Sequence, residues 1–229
     1  MTKTIKIVEK ILSSNDKIAI ENRAEFDRKN TFTLNLMASP GAGKTSLIMA
    51  TVERLMNEYS IAYIDGDIAT SIDVDKVATL GIPTVQINTD GQCHLDAPMI
   101  NKAILNLDLK NVDLLILENV GNLVCPTSFK LGAHKNVLIA SVPEGDDKPY
   151  KYPGMYQGVD SIVLNKMDVL EYFDFDMDYF ERGVAILNPG LKFFPVSCKS
   201  KEGLEDWITW INKEIDNFRK VKNTEYDLR

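Results

Sequence analysis

Three cysteines and two histidines occur in 229 residues, and one of each stands side by side, at Cys93 and His94 in TDGQCHLDAPMI. Thiolate and imidazole suit Zn²⁺ or Ni²⁺, but a tetrahedral shell needs four donors. Cys125, in GNLVCPTS, follows a predicted strand ending at Glu118 and so belongs to the same sheet edge. That set is one donor short, which leaves water or the same pair on a second subunit to complete the shell. A two-fold axis would convert Cys-His into a Cys₂His₂ set. From these residues alone, an incidental Cys-His dipeptide and a metal site both stay open. His134 reads as a structural or surface histidine.

ASPGAGKTS (38–46) lies between a strand-like run and a strongly helical one. Its glycines let backbone N–H groups converge on phosphate oxygens, and the helix start adds partial positive charge. The expected cradle is Gly41, Ala42, Gly43, Lys44, Thr45 and Ser46, with Lys44 on the β and γ phosphates and the Thr45 hydroxyl on Mg²⁺. Ala38 stands where this pattern usually opens with glycine.

LNKMD (164–168) ends a later predicted strand. The Asp168 carboxylate can accept from guanine N1–H and the 2-amino group together, a pairing adenine does not offer. Asn165 and Lys166 would support the base, and SCKSKEG would hold it from the other side through Ser197, Cys198 and Lys199. The combination points to GTP over ATP. In YIDGDIATSID, Asp67 is placed to reach the magnesium shell, and Asp73 lies in a segment able to order around the γ-phosphate. Glu118 stands where many phosphate-loop enzymes carry Asp. Asp65 and Asp75 read as cap or loop carboxylates. No glutamine is evidently placed to orient an attacking water, which predicts slow intrinsic hydrolysis.

The elements that must position these groups alternate along the chain. IAYID, PTVQI, VDLLILE, KNVLIAS, SIVLN and FFPVS join TFTLNLMA as apolar runs of the kind buried on both faces of a parallel sheet. Helical patterns separate many of them, at 44–59, 72–80 and 97–107, the last with Asp96 as N-cap and Pro98 in its first turn. The expected fold is α/β, doubly wound, a mostly parallel sheet flanked by helices, of the P-loop NTPase type. One or two amphipathic helices in residues 1–30 precede a GTPase domain at 31–220. A helix near 201–219 closes it, before a polar tail at 221–229. The hydrophobic share of 45% and charged share of 26% are ordinary for a globular protein, and the net charge of −7 disfavours a nucleic-acid surface. An odd cysteine number without an export signal disfavours a disulfide framework, and no apolar run spans a membrane. The expected location is the cytoplasm.

Several stretches together resemble the HypB family, GTPases that help insert nickel into [NiFe]-hydrogenase. They are SPGAGKTSLI, GDIATSID, CHLDAPM, ENVGNLVCP, EGDDKPYKYPG and NKMD, spread over residues 38 to 203. The resemblance implies a nucleotide-dependent homodimer with the metal at its interface, and Cys93, His94 and Cys125 match the family's metal ligands. It further implies a hydrogenase maturation partner, the hydrogenase large subunit as recipient, and a lysine after EGDD, Lys151, reaching the partner's guanine. The cysteine-rich or histidine-rich N-terminal tracts of some members have no counterpart here, so a separate nickel store is outside the expectation. Two alternatives remain. One is a metal-binding scaffold that uses GTP only to dimerise. The other is the urease-type nickel-delivery GTPase, whose Cys-Pro-His arrangement differs from the direct Cys93-His94 adjacency.

Overall fold

The computed structural model describes residues 7–68 and 70–227. In chain order the main elements are α1 (Ile7–Lys29), β1 (Phe32–Ala38), α2 (Lys44–Leu55), β2 (Ile61–Asp67), α3 (Ile72–Ala78), β3 (Thr84–Asn88), α4 (Ala97–Ala103) and β4 (Leu114–Glu118). They continue with β5 (Lys135–Ser141), α5 (Lys148–Lys151), α6 (Pro153–Gln157), β6 (Ser161–Asn165), α7 (Met177–Leu187), β7 (Lys192–Pro195) and α8 (Leu204–Asp227). The strands make one seven-stranded sheet in the order β3-β2-β4-β1-β5-β6-β7. Every pairing is parallel.

Burial on both faces explains why the strands read as unbroken apolar runs. Leu34, Leu36, Leu114, Ile116, Val137 and Ile139 face α2 and α8, with Trp207 and Trp210 stacked in the same layer. On the opposite face, Ala62, Ile64, Leu115 and Leu117 pack under α1 and α4. Leu138, Ile162 and Leu164 pack under α6 and α7. Each full apolar side chain taken from water contributes roughly 1.5–3 kcal/mol, which is why the sheet's centre tolerates so few polar residues.

Residues 7–29 of the expected N-terminal extension form one continuous helix, α1, latched to the domain by buried amides, and residues 1–6 lie outside the described residues. Asn22 donates to Ala97 O (2.9 Å) and Leu131 O (3.1 Å), and Asn15 accepts from Ala97 N (2.8 Å). These bonds hold the start of α4 and the loop before β5.

Several boundaries differ from the sequence expectation. The helix begun at Lys44 stops at Leu55, and the one begun at Ala97 changes at Ile104 into a 3₁₀ turn. The last helix continues through 221–227, the region expected as a polar tail, because nothing in its sequence breaks it. The pattern reading missed α7, whose start is nonetheless marked by Asp176 accepting from Tyr179 N (2.9 Å). Among the described residues, no helix is long and apolar enough to cross a membrane.

Candidate nucleotide and metal site

The carboxyl ends of the central strands all open on one edge, and nearly every expected site residue sits there. The loop leaving β1 turns through Gly41 (φ +79°) and Gly43 (φ +99°), left-handed conformations that favour glycine. A Cβ on Gly43 would lie 2.3 Å from Asn165 Nδ2, so this position needs glycine for space as well. No side chain caps α2 and no acidic residue occupies its first turn, so the positive end of its dipole is left for an anion. Lys44, Thr45 and Ser46 form that first turn.

The base-side loops are locked to this phosphate loop. Asn165 donates to Ala42 O (3.0 Å), and Lys166 Nζ donates to Gly41 O (2.6 Å) from a left-handed backbone. Asn165 Oδ1 accepts from Cys198 N (3.3 Å), tying in the loop after β7. Ser197 Oγ donates to Asp168 Oδ1 (2.7 Å) and accepts from Ser200 N (3.0 Å), which orients the carboxylate. Burial pushes the Cys198 thiol up to about 11, consistent with a neutral packing role. Lys199 is exposed beside it.

At the opposite end, a cleft of about 280 Å³ is lined by Lys44, Asp65, Asp67, Asp73 and Glu118, among others. Thr45 Oγ1 donates to Glu118 Oε1 (3.1 Å), Tyr63 OH donates to Glu118 Oε2 (2.5 Å), and Lys44 Nζ is 4.0 Å from Glu118. Burial raises the Glu118 carboxyl, with Lys44, Tyr63 and Thr45 opposing. Asp67 ends β2 and accepts from Thr70 N (3.0 Å); Asp73, in the first turn of α3, pairs with Lys76.

Asp65 is a correction. It was expected as a cap or loop carboxylate, but it lies buried in β2, in register with Glu118 on β4. Burial first and the Glu118 charge second push its carboxyl up to about 7, and its Oδ2 is buried without a hydrogen-bond partner. An unpaired buried carboxylate oxygen beside Thr45, Asp67 and Glu118 fits a hard divalent cation such as Mg²⁺ and its waters. Asp75, by contrast, only accepts from Ser71 at the start of α3, as expected of a local cap.

The structure brings Cys93, His94 and Cys125 together, with one ligand atom of each inside a 4.8 Å group. The two free thiols are 3.0 Å apart, and Cys93 Sγ is 3.8 Å from His94 Nδ1. His94 stacks on Phe129 at 3.8 Å between ring centroids. Burial lowers its pKa, so the imidazole is kept neutral and able to donate a lone pair. This donor set fits a borderline-soft ion such as nickel or zinc. His134 is elsewhere, buried between Asp27 and Thr33 N and stacked on Phe32. Lys151 is exposed and paired with Asp147, whose carboxyl is pulled down to about 2 by the hydrogen bond from Lys148 and then by that from Lys151. Also missed by the sequence reading were Asn119 and Asn122, although both lie within the quoted ENVGN stretch. The contact of Ser39 with Glu144, which joins the phosphate loop to the end of β5, was missed too.

A strand–glycine loop–helix unit on a parallel sheet, with carboxylates facing its lysine, defines a phosphate-loop nucleotide-binding protein. Residues 32–195 match the model of the CobW/HypB/UreG nucleotide-binding domain. Over 213 residues the chain is 44% identical to the hydrogenase maturation factor HypB of Azotobacter vinelandii, covering 93% of this chain and 70% of that one. It is 39% identical to the hydrogenase/urease maturation factor HypB of Helicobacter pylori, covering 96% and 92%. The crystal structure of HypB from Helicobacter pylori in complex with nickel superposes with a TM-score of 0.85 at 36% identity, covering 89% of this chain and 96% of that one. The chain belongs to the CobW/HypB/UreG family and, within it, to the HypB maturation factors.

Proposed function

We propose that this chain is a GTP hydrolase of hydrogenase maturation that carries nickel at Cys93, His94 and Cys125 and releases it to a maturation partner for the hydrogenase large subunit. The observation that carries the reading is one loop. The segment from Glu118 to Cys125 starts at the cation end of the nucleotide cleft and ends at a metal donor. Gly121 packs on Pro40 of the phosphate loop, where an added Cβ would lie 3.1 Å from Pro40 N. Anything that reshapes the phosphate loop therefore presses on the segment bearing Cys125.

In this reading the α2 N-terminus and Lys44 bind the phosphates, and Asp168, oriented by Ser197, selects guanine. Thr45, Glu118, Asp67 and the added Asp65 hold Mg²⁺ and its waters, which neutralise charge as the γ-phosphate leaves. Asp73 belongs to the segment that orders around that phosphate. The carboxylate-rich cleft lining contains no glutamine, which supports slow intrinsic turnover. The missing fourth donor supports a homodimer sharing the metal, with Lys151 exposed for the partner's nucleotide and Zn²⁺ an equally suited ion. Residues 31–220 are the GTPase unit and 1–30 its helical extension.

The test is the solution mass of the purified protein with and without a GTP analogue and Ni²⁺, together with phosphate release and metal analysis. Dimer formation, turnover and stoichiometric nickel are expected. A monomer under every condition would overturn the shared site, and absent turnover would leave a scaffold.

A further inference from the structure

The metal donors stand on two loops, and two asparagines join those loops. Cys93 and His94 follow a locally closed turn, in which Thr89 Oγ1 donates to Gln92 O (2.7 Å) and Gln92 N to Thr89 O (3.1 Å). That turn is closed upon itself. The tie to the Cys125 loop comes from elsewhere. Asn122 Nδ2 donates to Cys93 O (3.3 Å), and Asn119 Oδ1 accepts from Leu95 N (3.0 Å). Those two groups belong to the peptide units on either side of His94. Both bonds come from the loop that carries Cys125.

The asparagines are themselves fixed. Asn119 is fully buried, its backbone N–H donates to Leu36 O (2.9 Å), and its amide donates to Asn35 Oδ1 (3.4 Å). Asn35 in turn donates to Asn136 Oδ1 (2.9 Å), so a row of amides crosses β1 and β5 inside the sheet. Burying such a row carries a desolvation penalty that only mutual pairing offsets, and pairing also dictates which way each amide faces. Asn122 N donates to Ala38 O (2.8 Å), and Asn122 Oδ1 accepts from Val124 N (2.8 Å), just before Cys125.

We propose that Asn119 and Asn122 are positioning residues of the metal site, holding the His94 backbone against the Cys125 loop so that the sulfur and imidazole donors are prearranged for the incoming ion. The proposal rests on the metal reading above. Groups that orient metal ligands from behind contribute about 10–100-fold in affinity.

The experiment titrates Ni²⁺ alone, against a chromogenic chelator, into the wild type, Cys93→Ala, Asn122→Ala, Asn122→Asp and Asn119→Ala, recording the nickel–thiolate charge-transfer band and the thermal midpoint of each. Asn122→Asp keeps the acceptor for Val124 N and removes the donor to Cys93 O. Both Asn122 variants are expected to bind nickel at least about 10-fold more weakly, with an altered band and a near-native midpoint. Asn119→Ala is expected to do the same if it folds, and the Asn122 pair carries the test if it does not. Wild-type affinity and band in both Asn122 variants would overturn the proposal. So would a nickel loss that merely tracks the unfolded fraction. Absence of nickel from the wild type, or indifference to Cys93→Ala, would overturn the metal reading beneath it, and shows before any asparagine is changed.

Discussion

The two halves of the functional edge are finished to different degrees. On the nucleotide half, loops after β1, β6 and β7 are cross-tied by Asn165, Lys166 and Ser197. On the metal half, three half-buried donors gather on two loops and offer one ligand fewer than a tetrahedral ion takes. The first arrangement, in the proposed reading, would bind a molecule that supplies its own bulk and charge, and its cradle is already cross-tied within one chain. The second, in the proposed reading, leaves one coordination position for a donor from a second copy of the chain.

Separating the halves is the way to break this comparison. The largest effect expected is from Cys93→Ala, which should abolish stoichiometric Ni²⁺ binding in equilibrium dialysis while GTP affinity of the metal-free protein, in which no metal is there to couple, stays within roughly twofold. Lys44→Ala should do the reverse. Phosphate release should fall by roughly 10²–10³, the loss typical of one charge-stabilising donor, with nickel still bound. Asp168→Asn loses a charge-assisted pair to guanine and should weaken GTP by about 100-fold in fluorescence titration. The same variant should gain relative affinity for xanthosine triphosphate, which carries a carbonyl in place of the 2-amino group. Retained GTP affinity there would remove the base assignment.

The smallest effect sharpens the cleft itself. Folding raises the Asp65 carboxyl from 3.8 to about 7, so the folded state binds its proton more tightly than the unfolded state does. Its stabilising contribution is therefore complete below about pH 4 and is lost as the pH climbs to about 7. Without nucleotide or Mg²⁺, Asp65→Asn should match the wild type's melting temperature in acid. It should exceed it at pH 8, by an amount that the rise from 3.8 to about 7 caps at about 4 kcal/mol. Identical pH profiles would show that the buried carboxylate is solvated after all.

Much of this was legible beforehand. Phosphate and base loops are short runs whose residue types suggest the chemistry directly, so Lys44, Thr45, Asn165 and Asp168 could be proposed from spacing alone. Apolar strands announce themselves because both faces are covered. Asp65 was misjudged because the DGD run gives no sign that its first carboxylate is buried in the strand while Asp67 ends it. Burial is a property of what packs over a residue, here β4 bringing Glu118 alongside. Asn119 and Asn122 were passed over for a related reason, since an amide's role lies in its partners and those are Cys93 O and Leu95 N.

Chain order alone predicted the alternation of strands and helices and the phosphate loop, and it named Asp168 and the three donor residues on which the proposed guanine and metal sites rest. Those are local properties of residue type and period. Bringing Cys125 to Cys93 took the placing of β4 between β1 and β2, and orienting both loops took a row of buried amides drawn from β1, β5 and the β4 exit. Such contacts join residues far apart in the chain, and no local preference encodes them. They form because the sheet closes, its apolar faces are covered, and each buried amide must then find the one neighbour able to satisfy it.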